Sequence, residues 1–159
     1  MEIKVGMADM NVCSAPDSII TMGLGSCVGV VLWDRATKVC GMVHVMLPDS
    51  TAISQNSNKA KFADTGIEEL LRRVVELGAT KGRLVAKIAG GAQMFALHGD
   101  TPSLRVGDRN VEAVKKKLAE LNIPIVAEST GENYGRTVIF YPDTGVYRIR
   151  AIGREILDI

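Results

Sequence analysis

The sequence predicts an α+β fold, a layered α/β sandwich whose sheet is mostly antiparallel. Strand-forming runs rich in β-branched residues occupy both ends of the chain, and two segments with helical spacing of apolar residues lie between them. Strands grouped around helices favour this class over a regular alternation of strand and helix. The chain of 159 residues shows no linker or repeat. We therefore expect a single domain, residues 1–159.

Turn-forming residues separate the predicted strands. Pro16 and Asp17 follow the first strand, and Asp143 to Gly145 precede the last one. The segment Asp34 to Lys38 lies between two apolar runs, which predicts a hairpin that Pro48 closes. The predicted strands are residues 3–13, 18–21, 28–33, 39–47, 84–89, 125–127, 137–141 and 146–152.

Two amphipathic helices are predicted in the middle of the chain. Thr65 to Glu68 fits a capping box at the start of the first helix, and Gly78 ends it. Asp108 is the predicted N-cap of the second helix, and Pro124 lies beyond its end. The apolar faces comprise Ile67, Leu70, Leu71, Val74 and Val75 in the first helix, and Val111, Val114, Leu118 and Leu121 in the second.

The composition argues against several classes of function. Nineteen basic and eighteen acidic residues leave a net charge of +1, so we expect no nucleic-acid partner and no attraction to an anionic membrane surface. The longest apolar run, residues 28–33, is too short to insert across a bilayer, and the N-terminus lacks a signal-peptide pattern. Three cysteines and two histidines without a CxxC motif predict no metal site. A reducing, cytoplasmic location fits this cysteine usage.

The segment TMGLGSCV, followed by Gly29, places three glycines close to Cys27, so few side-chain atoms cover the backbone there. Either Cys27 is a small apolar residue in a tight turn, or a substrate must approach its sulfur closely. A nucleophilic cysteine needs a base nearby, and the chain has only His44 and His98. If Arg35 and Ala36 are the two central turn residues of the hairpin, Cys27 lies directly opposite His44, with Cβ atoms about 5 Å apart. A three-residue loop would place the two side chains on opposite faces.

The other candidate residues have structural interpretations. Cys13 and Cys40 are predicted to be buried apolar residues. His98 precedes Gly-Asp-Thr-Pro, which favours an imidazole in an exposed loop. Gly90 and Gly91 lack the spacing of a phosphate-binding loop, so a plain turn is the preferred interpretation. His44 itself is open to a purely structural role as a hydrogen-bonded core residue.

Several segments, taken in order, resemble the CheD family of chemoreceptor glutamine deamidases. They are TMGLGSCV at residues 21–28, HVMLP at 44–48, KFADTG at 61–66, GGAQMF at 90–95, GDRN at 107–110 and TGV at 144–146. The chain departs from the family pattern at Met22, where leucine is expected, and at Gly131-Glu132, where a glycine pair is more usual. Neither departure touches the residues of the expected chemistry.

The resemblance implies hydrolysis of selected glutamine side chains on methyl-accepting chemotaxis receptors, which yields glutamate and ammonia. It implies a catalytic set of Cys27, His44 and Thr21, and a sandwich fold related to bacterial toxin deamidases. It also implies two protein partners. One is the cytoplasmic helical region of the receptors, as substrate, and the other is CheC, a phosphatase of phosphorylated CheY.

We expect His44 to accept the proton of Cys27 and the thiolate to attack the amide carbon, which leads through a thioester. Backbone groups at Ser26 and Gly25 are the expected oxyanion and substrate contacts, and no metal or organic cofactor is required. Two alternatives stay open. The chain would be mainly a non-catalytic regulator of CheC, or another Cys-His acyl-transfer enzyme such as a transglutaminase.

Overall fold

The computed structural model describes residues 1–94 and 105–159, and within them two sheets and two helices form three layers. The helices are α1 (Ala63–Leu77) and α2 (Val106–Glu120). The strands are β1 (Glu2–Val5), β2 (Met10–Ser14), β3 (Ser18–Leu24), β4 (Val28–Asp34), β5 (Val39–Val45), β6 (Leu84–Gly90), β7 (Ile125–Thr130), β8 (Arg136–Tyr141), β9 (Val146–Arg150) and β10 (Leu157–Asp158).

The strands divide into two five-stranded sheets, ordered β1-β3-β8-β9-β10 and β2-β5-β4-β6-β7. We call them the outer sheet and the central sheet. The pairs β1–β3 and β6–β7 are parallel and the other neighbours are antiparallel. The mixed but mostly antiparallel pairing confirms the predicted α+β class.

Strand β4 shows why the layers stack in this order. Its side chains alternate, so Val30 and Leu32 pack into the apolar cluster that includes α1 and α2, whereas Val31 packs into a second cluster shared with the outer sheet. The central sheet is therefore buried on both faces, between the helices and the outer sheet. Within the described ranges, no helix is long and apolar enough to cross a membrane.

The hairpin was predicted with the wrong loop. Asp34 pairs with Val39 rather than Thr37, so the loop has four residues, Arg35 to Lys38. The Asp34 carboxylate accepts the N–H of Ala36 at 2.9 Å, and Lys38 adopts a φ of 58°. The register therefore differs by two residues from the prediction, which preserves the face of every side chain.

Three other local predictions were also wrong. The predicted strand 3–13 is divided into β1 and β2 by a turn in which Ala8 has a φ of 52°. Helix α1 begins at Ala63, before the predicted capping box, and the Thr65 hydroxyl donates to the Lys59 carbonyl at 2.7 Å. Helix α2 begins before Asp108, which lies in its first turn, where a negative charge still favours the helix dipole.

Asp34 holds the far end of the central sheet to the segment after α1. Its carboxylate is fully buried, accepts the Thr80 N–H at 2.8 Å and forms a forked pair with Arg83 at 3.0 and 3.1 Å. The Arg83 guanidinium is the main reason why the pKa of Asp34 lies well below its ordinary value. The charged carboxylate is thus the form that stabilises the fold.

We expect Asp34→Ala to lower the free energy of unfolding by about 3 kcal/mol, because it removes a buried carboxylate together with its bonds to the Thr80 N–H and the Arg83 guanidinium. In the native protein this contribution is complete above pH 3.8, the ordinary value for an aspartate, and is lost as the pH falls towards the lowered native pKa. Urea unfolding of the variant at neutral pH measures the loss. Asp143→Asn is the control, since Asp143 forms an exposed pair with Lys38. Equal stability of the two variants would contradict this role for Asp34.

Candidate functional site

Cys27 lies in the short turn between β3 and β4, and its backbone is held from behind at three consecutive carbonyls. The Gly25 carbonyl accepts the Ala92 N–H at 2.9 Å, and the Cys27 carbonyl accepts the Gly91 N–H at 2.8 Å. The Ser26 carbonyl accepts the Asn110 side-chain amide at 2.9 Å. Because all three carbonyls are bonded to the residues behind them, the turn presents Cys27 in a fixed conformation.

Gly90 and Gly91 are the support for this turn, a role that the sequence did not indicate. Gly90 has a φ of 111°, and a side chain there would collide with the Cys27 carbonyl. A side chain on Gly91 would collide with Val111 of α2. The glycine pair therefore lets the end of β6 pass directly under the cysteine.

Neither the Ser26 nor the Cys27 backbone N–H donates to a backbone carbonyl among residues 1–94 and 105–159, and the Cys27 N–H lies close to its own sulfur. The Gly25 N–H, in contrast, donates to the Gly23 carbonyl at 3.1 Å. Backbone N–H groups next to a nucleophile are donors that can stabilise an oxyanion. Of the two residues expected as oxyanion and substrate contacts, Ser26 therefore has an N–H without a backbone acceptor in the described ranges, whereas the N–H of Gly25 is already bonded.

His44 is fully buried on β5 and is bonded to Thr21 of the outer sheet. The Thr21 Oγ1 lies 2.7 Å from His44 Nδ1 and 2.8 Å from the Val5 carbonyl oxygen. A hydroxyl has one proton, and the carbonyl can only accept, so Thr21 donates to Val5 and accepts from His44 Nδ1–H. Nε2 then carries the lone pair. Nε2 has no hydrogen-bond partner among the described residues.

The position of His44 relative to Cys27 differs from the prediction. His44 pairs with Gly29, not with Cys27, since Val28 pairs with Val45. Cys27 lies two residues before Gly29 and belongs to the apolar cluster between the two sheets. The His44 side chain points to the same side of the central sheet, where it contacts Thr21 of the outer sheet. The two side chains therefore share a face as diagonal neighbours rather than as an opposed pair.

Burial favours the neutral forms of both the Cys27 thiol and the His44 imidazole. Burial raises the pKa of Cys27 above its ordinary value and lowers the pKa of His44 below its ordinary value. No hydrogen bond joins Cys27 Sγ to His44 in the described part of the chain. If Cys27 acts as a nucleophile, its thiol therefore loses its proton during the reaction rather than resting as a preformed ion pair.

Thr21→Val tests whether Thr21 orients the imidazole. Valine is nearly isosteric but leaves the buried Nδ1–H without an acceptor, so we expect kcat for any reaction of Cys27 to fall by about 10- to 100-fold. KM is expected to stay unchanged, and Thr21→Ser to restore most of the rate. If the serine variant is as slow as the valine variant, packing rather than the hydroxyl explains the effect.

Asn110 of α2 is a site residue that the sequence analysis missed. Its side-chain amide donates at 2.9 Å both to the Ser26 carbonyl and to the Met46 carbonyl, and the residue is fully buried. It thereby joins the turn that carries Cys27 to the residues that follow His44. The signal in the sequence was its spacing, because Asn110 precedes Val114 and Leu118 by one and two helical turns on the buried face.

Asn110→Asp replaces this double donor with a carboxylate that faces two carbonyl oxygens. We expect kcat to fall by at least about tenfold with little change in KM, because the repulsion displaces the turn that carries Cys27. Asn56→Asp is the matched control, since the exposed Asn56 amide donates to a single carbonyl, that of Ser50 in the same loop. Steady-state kinetics on both variants check this, and equal rates would exclude Asn110 as a positioning residue.

Two of the remaining candidates, Cys13 and Cys40, lie apart from this site. Cys13 and Cys40 are buried opposite each other on β2 and β5, with their sulfurs 3.6 Å apart, which confirms their interior positions. His98 lies outside the described residues. Within the described ranges, no group of three or more potential metal-binding side chains was found.

Comparison with known proteins identifies the family. The family model described as "CheD chemotactic sensory transduction" matches residues 46–151, a region that begins just after His44. A relative from Lachnoclostridium phytofermentans, named probable chemoreceptor glutamine deamidase CheD, is 65% identical over 152 residues, which cover 96% of this chain and 94% of the relative. The chemoreceptor glutamine deamidase CheD of Halalkalibacterium halodurans is 54% identical over 94% of this chain and 93% of its own length. The chain therefore belongs to the CheD family.

Proposed function

We propose that this protein hydrolyses the side-chain amides of selected glutamines on chemoreceptors, through a thioester on Cys27. The names of its relatives supply the substrate class. The single observation that carries the chemistry is the Thr21–His44 hydrogen bond. It assigns the proton to Nδ1 and leaves a basic Nε2 on the face that Cys27 shares.

The first half of the reaction forms the thioester. His44 Nε2 takes the Cys27 proton while the sulfur bonds to the glutamine side-chain carbon, and the carbonyl electron pair moves onto oxygen. The N–H groups of Ser26 and Cys27 receive this oxyanion. When the carbonyl re-forms, the C–N bond breaks, and the imidazolium gives its proton to the departing nitrogen. Ammonia leaves, and the acyl group remains on Cys27.

The second half regenerates the enzyme. His44, neutral again, removes a proton from water as the water oxygen bonds to the thioester carbon. The C–S bond breaks, the sulfur regains its proton from the imidazolium, and the product is a glutamate side chain. Thr21 stabilises the imidazolium in both halves without the negative charge that an aspartate would place there.

The accessibility of Cys27 restricts the substrates that this site can accept. Only 8% of the residue is exposed, and its pKa is raised because it is buried. A backbone amide within a folded helix cannot reach such a sulfur, whereas the terminal amide of a long side chain can. Glutamine, which projects its amide beyond two methylene groups, therefore suits the site better than asparagine.

We further propose CheC as a partner and the cytoplasm as the site of action. Both proposals derive from family membership, and the cytoplasm follows from a substrate that lies in the cytoplasmic helices of the receptors. Co-elution of this protein with CheC from the same genome would support the partnership. A binding measurement that shows no association at concentrations up to about 100 μM would argue against it.

The test of the function is mass spectrometry of a purified receptor cytoplasmic fragment from the same genome after incubation with the protein. We expect glutamine to become glutamate at a few sites, with one ammonia released for each conversion. Fragments in which those glutamines are replaced by asparagine should stay unchanged. A fragment that shows no conversion at any glutamine would contradict the proposal.

A further inference from the structure

A pocket of about 660 Å³ opens beside the turn that carries Cys27. Among the described residues, its lining combines apolar and basic side chains and includes no acidic residue. Met94 and Ile152 supply exposed apolar surface, and Arg136 and Arg150 supply the positive charge. A mixed lining of this kind suits a protein segment with an apolar side and a carboxylate.

The pocket adjoins the turn that carries Cys27. Gly23 of β3 contributes to its wall, only four residues before Cys27. The Met94 side chain lies against Gly25, where an added Cβ would come within 3.1 Å of Met94 Cγ. Arg136, at the start of β8, pairs with Leu24 in the same strand as Gly23. A substrate whose glutamine reaches Cys27 must therefore lie across or next to this pocket.

The two arginines differ from most others in the described chain because no carboxylate neutralises them. Arg72 pairs with Glu69, Arg83 with Asp34, and Arg148 with Asp158. Arg150 is exposed and has no ion pair within residues 1–94 and 105–159. It is therefore available to a carboxylate from another molecule.

Arg136 adds a second positive charge that is almost completely buried, with 2% of the residue exposed. Its guanidinium donates to the Gly131 carbonyl at 3.1 Å and lies 4.5 Å from the centre of the Tyr134 ring, while Nε has no partner in the described structure. Arg154 lies 3.9 Å from the centre of the same ring. Burying a cation without a counter-ion is costly, so its retention here indicates a use for the positive potential.

We propose that this pocket is a subsite for an acidic side chain that lies near the target glutamine on the receptor helix, and the inference rests on the proposed function. Arg150 contacts the carboxylate directly, and Arg136 supports the interaction from below. Residues three, four or seven positions apart share one face of a helix, so such an acidic side chain and the glutamine can both face this protein. Met94 and Ile152 pack against the apolar side chains between them.

Arg150 is the residue to change, because Arg136 also holds the carbonyls of Gly90 and Gly131 and its loss would disturb the fold. Arg150→Glu reverses an exposed charge. Arg35→Glu is the matched control, since Arg35 is equally exposed but lies in the β4–β5 loop at the opposite end of β4 from Cys27. Both changes alter the net charge by the same amount.

The experiment measures binding of a receptor fragment whose target glutamine has been identified, or of the whole cytoplasmic fragment if no glutamine is converted. All proteins carry Cys27→Ala so that the substrate is not consumed. We expect Arg150→Glu to raise Kd by about tenfold at low ionic strength and less at high salt, and Arg35→Glu to change it by less than about twofold. Acidic receptor residues are then replaced by lysine, one at a time. At one position, the lysine should restore binding to the Arg150→Glu protein, because opposite charges meet again. The same lysine should weaken binding to the protein that keeps Arg150.

Equal effects of Arg150→Glu and Arg35→Glu, or lysine substitutions that weaken both proteins to the same extent at every position, would overturn the subsite. The proposed function is measured separately with the intact Cys27 protein. We call the restored binding between Arg150→Glu and a receptor lysine charge coupling. Deamidation without charge coupling would contradict the subsite but not the proposed function. Charge coupling without deamidation removes the proposed chemistry and leaves the docking surface in place.

Discussion

Cys27→Ala is expected to lower the rate of receptor deamidation by a factor of about 10⁴ or more, because no other group of the site can form the acyl intermediate. The variant removes one sulfur atom from the turn. The backbone carbonyls of this turn stay hydrogen-bonded to Gly91, Ala92 and Asn110, and these bonds do not involve the thiol. We therefore expect the fold and the affinity for the receptor to stay close to those of the native protein. The rate is measured as the glutamate formed at each target glutamine.

Cys13→Ala is the matched control for this loss. Cys13 is also a buried cysteine, but it lies on β2 with its sulfur against that of Cys40, away from the catalytic turn. We expect it to cost about 1 kcal/mol of stability and to leave kcat unchanged. If Cys27→Ala kept a substantial rate, or if Cys13→Ala lost as much activity, Cys27 would not be the nucleophile.

His44→Gln is expected to lower kcat by about 10³-fold, since glutamine keeps a hydrogen-bonding side chain in the core but cannot accept and return a proton near neutral pH.

The neutral forms of Cys27 and His44 also predict how the activity depends on pH. Activity requires neutral His44, whose pKa is lowered by burial, so kcat/KM should fall only as the pH drops through a value below 6.5. Because burial raises the pKa of Cys27, the thiol stays protonated to above pH 9.0. The plateau between these limits should be broad.

The pH profile separates this pair from a preformed thiolate–imidazolium pair. In such a pair each charge favours the other, so the pKa of the histidine would be raised and that of the cysteine lowered. An acidic limb centred above pH 6.5 for the native protein would therefore contradict a neutral resting pair. His44→Gln should lose the acidic limb together with the rate, whereas Thr21→Ser should keep it.

Much of the fold could be predicted because it depends on local pattern. The apolar spacing at Ile67, Leu70 and Val74 predicted α1, whose buried face includes these residues, and Gly78 ends it as expected. The β-branched run from Val28 predicted β4, although not its partner register. That register depends on the loop after Asp34, which is shaped by bonds to Thr80 and Arg83, more than 40 residues away. No local pattern contains this information.

The site was predictable to a similar extent. Cys27 and His44 were proposed as a pair because a reactive thiol needs a nearby base and because the hairpin was expected to place both side chains on one face. The predicted register was wrong by two residues, which leaves both side chains on the same face. The resemblance supplied Thr21, which is bonded to His44 Nδ1. Asn110 could not be assigned a role from the sequence, since its contacts with Ser26 and Met46 join residues 84 and 64 positions apart. Arg136 was missed for the same reason, because only the folded chain shows a buried cation without a carboxylate partner.

Acyl transfer through Cys27 is tested most directly by partitioning of the acyl group between water and hydroxylamine. Hydroxylamine is added to the native protein acting on the receptor fragment, and the products at each target position are measured by mass spectrometry. A thioester predicts that product shifts from glutamate to hydroxamate in proportion to hydroxylamine, while the rate of glutamine loss stays constant if acylation is rate-limiting. Glutamate as the only product at every hydroxylamine concentration would contradict the account.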